Sequence, residues 1–329
     1  MNNANFSYLS LTPELQLDAL ASIGIYPESG LIALNSYENR VSLFTDENKI
    51  RYVVKFYRPQ RWQQEQLQEE HQFCLELYKQ GCYLAAPVEI NGQSLFFFQG
   101  YYFALFQSLS ARTMEPDNID QLFEVGASLG KMHRIGAQGR FQYREPLNVQ
   151  TMLSAPIQAL QTSELIPVFI REPLFAALNT LEQKVIKQFN PGSESIRLHG
   201  DCHTSNILVD GEQPYFVDFD DCKMGPAVQD MWMLLHGDRQ EKQLQLSMLL
   251  DGYQEEYEFD AQQLTLIEPL RSMRIINYVN WINKRWSDPA FPKNFPWFTT
   301  DQYWKELLQS IKQQILALEE APLTLQPCY

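Results

Sequence analysis

The chain has 329 residues, 45% of them hydrophobic and 13% aromatic, which is enough material for two well-filled lobes. Twenty-six Lys and Arg against 40 Asp and Glu leave a formal charge of −14, which argues against sequence-independent binding to nucleic acid or to an anionic membrane surface. No apolar run approaches the roughly 18 residues of a spanning helix, and residues 1–10 have neither a basic start nor an apolar signal core, so a soluble cytoplasmic protein is expected.

In chain order, Thr12-Pro13-Glu14 reads as a cap followed by proline at the first helical position, with Gly24 closing the helix. Strand patterns follow at 31–34, 41–44 and 51–57, separated by polar turns. Lys55 lies inside the third, in YVVKFY. Taken alone it reads equally well as a solvent-facing strand lysine whose stem lies on the sheet. Residues 63–80 lack Gly and Pro and space Leu67, Phe73 and Leu77 for one helix, with Glu69 and Glu70 on its surface or facing a cleft. Residues 86–88, 94–98 and 101–106 read as further strands, the last two joined at Gln99-Gly100. The expectation is an α+β protein of two lobes, an antiparallel sheet with one helix in residues 1–107 and a mainly helical lobe in 108–329.

In the second lobe a helix is expected over about 118–133, ending on a hydrogen-bonded structural His133. Asp230 reads as an acid in the first turn of a helix. Residues 288–297, DPAFPKNFPW, look too proline-rich for helix and are expected to form an ordered loop packed across the lobe. The five cysteines, Cys74, Cys82, Cys202, Cys222 and Cys328, are odd in number and lack CxxC spacing, so reduced thiols are expected.

Between these segments lies LHGDCHTSNILVDGEQPYFVDFDD, residues 198–221. Two short β-rich runs around Asp210-Gly211 should pair as a hairpin, bringing Asn206 before the first strand close to Asp218 after the second. An amide oxygen and a carboxylate that converge suit a hard divalent ion such as Mg²⁺ when phosphates supply the remaining ligands. Asp201 is then a carboxylate placed to accept a proton from a hydroxyl nucleophile. Asp220 is a further ligand or an outer acceptor. A zinc site from His199, Cys202, His203 and Cys222 is chemically conceivable but leaves the carboxylates unexplained.

HGD-x-x-x-x-N followed by DFD resembles the HRD-x-x-x-x-N and DFG order of the protein kinase-like fold, in its aminoglycoside phosphotransferase and choline kinase branch. NSYENRV, VVKFYRP, LHGDCH, GPAVQD and the DPAFPKNFPW segment resemble, over the whole chain, the bacterial stress response kinase A family. That resemblance implies an ATP- and Mg²⁺-dependent kinase acting on Ser or Thr of proteins, cytoplasmic and monomeric. It makes Asp201 the catalytic base, Asn206 and Asp218 the Mg²⁺ ligands, Lys55 the phosphate-holding lysine, Glu70 its helix partner with Glu69 as second choice, and Ser36 a contact to ATP. The loop NSYENR contains no glycine, so side chains must take over the phosphate contacts that a glycine-rich loop makes with its backbone. A small-molecule phosphotransferase for amines or sugars, and a nucleotide-binding pseudokinase, are the competing readings.

Overall fold

Thr12 accepts a hydrogen bond from the Leu15 amide and Pro13 opens helix α1 (Pro13–Ser22). The computed structural model, which describes residues 8, 10–115, 118–192 and 195–324, then runs into a five-stranded antiparallel sheet. Its strands β1 (Ile32–Ala33), β2 (Arg40–Thr45), β3 (Arg51–Phe56), β4 (Phe96–Phe98) and β5 (Tyr101–Gln107) lie in the order β1-β2-β3-β5-β4. Residues 86–88 make only one isolated bridge, Pro87 to Phe106, because proline has no N–H to extend a ladder. Register places Lys55 between Val41 and Ala104 in the middle of the sheet.

Strand alternation decides which way Lys55 points. Val54 and Phe56 lie on the face covered by α1, in a core with Leu20, Phe44, Phe103 and Leu105. Lys55 therefore projects from the opposite face, where helix α2 (Gln64–Lys79) packs Leu67 against Tyr57 and Ala104. The other side of α2 sends Phe73, Cys74 and Leu77 into the same core as Leu122, Phe216 and Phe219, so this helix ties the sheet to the second lobe.

That lobe is built from α3 (Ile119–Gly136), α4 (Ala155–Gln161) after a π-helical turn, α5 (Val168–Gln188), α6 (Arg239–Tyr253), α7 (Ile267–Arg285), α8 (Ala290–Asn294) and α9 (Asp301–Ala317). Helices α3 and α6 approach backbone to backbone, since a Cβ at Gly126 would stand 1.9 Å from the Leu249 carbonyl oxygen and one at Gly252 2.0 Å from that of Phe123. Two small sheets face the first lobe. Strands β6 (Arg112–Thr113), β8 (Ile207–Asp210) and β9 (Gln213–Phe216) form one, and β7 (Ile196–Leu198) pairs with β10 (Lys223–Gly225) in the other. Among the described residues no helix is long and apolar enough to cross a membrane.

One expectation is corrected. Residues 288–297 include α8 and the start of a 3₁₀ turn, Pro296–Thr299, and so are partly helical. Pro289 caps α8, Pro292 falls in its first turn and Pro296 opens the 3₁₀ turn, positions where a missing N–H removes no helical bond. The expected packing role holds, with Phe291, Phe295 and Phe298 in the lobe's core. Asp230 lies in the single turn of a 3₁₀ helix, Ala227–Asp230, as expected of a first-turn acid, and its carboxylate serves a backbone elsewhere, as described next. Cys74, Cys82, Cys202 and Cys222 are buried free thiols, and Cys328 lies outside the described residues.

Candidate active site

The site lies between the two lobes and has a side facing the sheet and a side facing α7. On the sheet side, Lys55 Nζ donates to Asp218 Oδ1 at 2.7 Å and stands 3.2 Å from Asp220 Oδ1 and 3.9 Å from Glu70 Oε1. Burial alone would discharge the lysine, but the three carboxylates hold its pKa well above the usual value. Glu70 also receives Arg144 Nη2 at 2.8 Å. Burial nonetheless lifts its carboxyl to about 7 against the pull of Lys55 and Arg144. Glu69 turns away and accepts the backbone N–H groups of residues 142–144. Through them it fixes the segment that carries Arg144, whose guanidinium also donates to the carbonyls of Asp220 and Cys222 at 2.7 and 3.1 Å.

The hairpin brings its two ends together: Val217 N donates to the Asn206 carbonyl at 3.0 Å. Asn206 Nδ2 donates to the Asp201 carbonyl at 3.0 Å, which orients the amide and leaves its Oδ1 as an acceptor. Asp218 takes the left-handed conformation, φ 63° and ψ 66°, unusual for a non-glycine residue, and its side chain is half exposed toward the cleft. Asp220 is buried. Its Oδ2 takes hydrogen bonds from Arg61 and Asn39, while its Oδ1 faces Lys55 as an ion pair without a hydrogen bond. Arg61 also forks onto Asp221 at 3.0 and 2.9 Å. These cations outweigh the effect of burial and keep both carboxyls below the usual range.

The glycine-free loop is held by side chains. Arg58 donates to the carbonyls of Tyr37 and Glu38 at 3.1 and 2.9 Å, and its own amide donates to Asn39 Oδ1 at 3.1 Å. Glu38 accepts from Arg285 Nη2 at 2.8 Å and from the Trp281 indole, both on α7, so the loop over the cleft is anchored to the opposite lobe. Ser36 sits half-buried within this anchored loop.

On the α7 side, Asp201 is paired with Arg274 Nη1, and His203 Nε2 lies 3.6 Å from its Oδ2. Burial raises the Asp201 carboxyl, but His203 and Arg274 outweigh it and leave the group ionised below the ordinary range. The backbone beneath is held by Asp230, which accepts from the amides of His199 and Gly200 at 2.7 and 2.8 Å and from His133 Nε2 at 3.1 Å. His199 accepts the Asp201 amide on Nδ1 at 3.3 Å and donates from Nε2 to the Val217 carbonyl at 2.9 Å, linking the two motif segments. Gly200 has φ +86°, and a Cβ there would stand 2.1 Å from the Asp221 carbonyl oxygen. This close approach explains the glycine in HGD.

Lys55, Glu70, Asn206, Asp218 and Asp220 thus converge on one cleft with Asp201 beside them. Motif spacing alone did not reveal Glu38, Arg61, Arg144, Arg274 or the use made of Asp230. The one available signal was charge: Asp218, Asp220 and Asp221 within four positions need cations, without saying which. Among the described residues no group of three or more His, Cys, Asp or Glu is arranged to hold a metal. A divalent ion here would need the Asn206 amide oxygen and phosphate oxygens beside the carboxylates. The oriented amide, the half-exposed Asp218 and Asp220 Oδ1, which accepts no hydrogen bond and has only its ion pair with Lys55, form an all-oxygen donor set that fits such an ion.

Comparison with known proteins agrees with this geometry. Residues 31–264 match the phosphotransferase enzyme family. Over 330 aligned residues, covering 100% of both chains, the protein is 46% identical to serine/threonine protein kinase RdoA of Salmonella typhimurium and likewise to stress response kinase A of Escherichia coli K12. Its fold is similar to that of amicoumacin kinase in complex with AMP-PNP and Ca²⁺, with TM-score 0.72, 20% identity and 94% of each chain covered. It is also similar to a microcompartment-associated aminopropanol kinase, with TM-score 0.69, 16% identity and 93% and 96% covered. The chain therefore belongs to the phosphotransferase enzyme family, in its stress response kinase A group, and is a kinase.

Proposed function

We propose that the protein transfers the γ-phosphoryl group of ATP to Ser or Thr hydroxyls of a protein substrate, with Mg²⁺ as the metal, as part of a stress response. The observation that carries the reading is the convergence of Lys55, Asp218 and Asn206 on one cleft beside an ionised Asp201. The full-length identity to proteins named as serine/threonine and stress response kinases supports the choice of acceptor. The small-molecule kinases of similar fold are no more than 20% identical, so they bear on the fold and not on the acceptor.

Lys55 holds the α- and β-phosphates and Glu70 keeps it aimed, while the anchored loop places Ser36 over the nucleotide. Asn206 and Asp218 would hold the metal, with Asp220 as a further oxygen donor, and Mg²⁺ when bound would supply neutralisation of the phosphate charge. Asp201 accepts the proton of the attacking hydroxyl as the new oxygen–phosphorus bond forms and the bond to the departing ADP breaks. As a working reading the protein acts in the cytoplasm as a monomer. Incubation with radiolabelled ATP, a protein panel, and a panel of amines and sugars, with and without Mg²⁺, tests the assignment. Labelled phosphoserine or phosphothreonine is expected from the wild type, with none above background from Asp218→Ala. Rapid turnover of one small molecule with no protein labelled would replace the protein-kinase reading.

A further inference from the structure

Building on that reading, we infer that the acceptor hydroxyl is flanked by a negatively charged group, an acidic side chain in a peptide substrate, which Arg274 and Lys223 recognise. A cavity opens beside Asp201 and its polar lining comprises Asp201, Asp221, Lys223, Gln229, Arg274 and Asn277. One of the two carboxylates is already matched, because Arg61 forks onto Asp221 at 3.0 and 2.9 Å. The other is the proposed base, which must face the acceptor hydroxyl. Two cations also line the cavity. The Arg274 side chain is 38% exposed and has Asp201 as its ion-pair partner. Lys223 lays its stem over Gly200, where a Cβ would meet its Cε at 3.2 Å, and its charge assists Arg61 in holding the Asp221 carboxyl below the usual range.

The consequence follows from charge balance. A hydroxyl that takes its place against Asp201 loosens Arg274 from that carboxylate, and a guanidinium left unpaired in a partly shielded cavity is unfavourable. An acid beside the hydroxyl restores the pair. An acceptor carrying an ammonium group instead meets the charges of Lys223 and of an Arg274 released from its partner, so amines are disfavoured by repulsion. The contact between Arg274 and Asp201 also keeps the base occupied until such an acceptor arrives.

The test compares kcat/KM for matched Ser peptides carrying acidic or basic neighbours, alongside small hydroxy acids and amino alcohols, in the wild type, Arg274→Gln, Arg274→Glu and Lys223→Gln. The wild type is expected to prefer acidic peptides by about tenfold or more, the scale of a partly desolvated charge pair at an interface. Arg274→Gln should bring that ratio toward one through a raised KM for the acidic peptide, Lys223→Gln should lower it, and Arg274→Glu should shift preference to basic peptides. Equal or better use of basic peptides, or an acidic preference unchanged in both Gln variants, overturns the inference while leaving the protein-kinase reading in place. Transfer to hydroxy acids but to no peptide overturns the protein-kinase reading and keeps the charge assignment. Best use of amino alcohols, or transfer to no acceptor of either charge, overturns both.

Discussion

The two sides of the cleft are held by different means. On the sheet side, Lys55, Arg61 and Arg144 are shared among Glu70, Asp218, Asp220 and Asp221, and Lys55, Arg61, Glu70 and Asp220, all largely buried, each meet at least two opposite charges. On the α7 side, Asp201 has one partly exposed arginine and a histidine at 3.6 Å, and its position comes from the backbone beneath, pinned by Asp230. The contrast teaches that the sheet side is a preorganised charge lattice, which under the proposed assignment suits one constant ligand, the nucleotide. On the same proposal, the α7 side keeps Asp201 as a base that can exchange partners when substrates arrive.

This contrast can be broken most sharply at the proposed base, Asp201. Asp201→Asn should lower transfer by about 10²- to 10⁴-fold, the usual contribution of a general base, with the urea unfolding midpoint nearly unchanged. A large loss of stability there would show that the acceptor side is as interlocked as the other. Next in size, Lys55→Ala should both reduce ATP use by about 10²-fold and destabilise the fold by about 3 kcal/mol, since it leaves buried carboxylates uncompensated. Retained stability in that variant, measured by the same unfolding assay, would contradict the lattice.

Asp230→Ala should cost about 3 kcal/mol because it strands two buried backbone N–H groups and His133, and activity should fall with it. Unchanged activity and stability would mean the backbone below Asp201 has another support. The smallest effect is expected at the loop anchor. Glu38 is buried, yet Arg61, Arg285 and Arg58 overcome the effect of burial and hold its carboxyl below the usual range. A depressed folded-state pKa contributes stability above the ordinary carboxylate pKa, and that stability disappears as pH falls through the folded value. Glu38→Gln should therefore lower stability at neutral pH by about 1 kcal/mol and flatten the acid limb of the stability profile. An acid limb identical to that of the wild type would exclude this anchor as its source.

Much of the outline was legible from residue patterns. Alternation and turn chemistry located β2, β3, α2, β5 and the β8–β9 hairpin, because strand and helix periodicities are local properties. The same patterns misjudged residues 288–297, where proline count outweighed proline position, and they placed Asp230 in a first turn without showing that its carboxylate reaches back about thirty positions to the His199 and Gly200 amides. Lys55 and the 201–218 segment stood out because their spacing is itself the chemistry. The choice between Glu69 and Glu70 was less accessible. Both lie on the same helix, and only packing turns Glu70 toward Lys55 and Glu69 toward residues 142–144.

By itself, then, the chain's order of residues determined a strand lysine, the glycine-linked segment 199–201, and a hairpin that joins Asn206 to Asp218, all short-range consequences of torsion, turn and alternation. Tertiary structure alone decided which charges neutralise which. Arg61 meets Asp220 across 159 positions, Arg285 meets Glu38 across 247 and Arg274 meets Asp201 across 73. Ion pairs have no sequence period, so their partners are chosen only when packed elements bring surfaces together and burial makes an unmatched charge unfavourable.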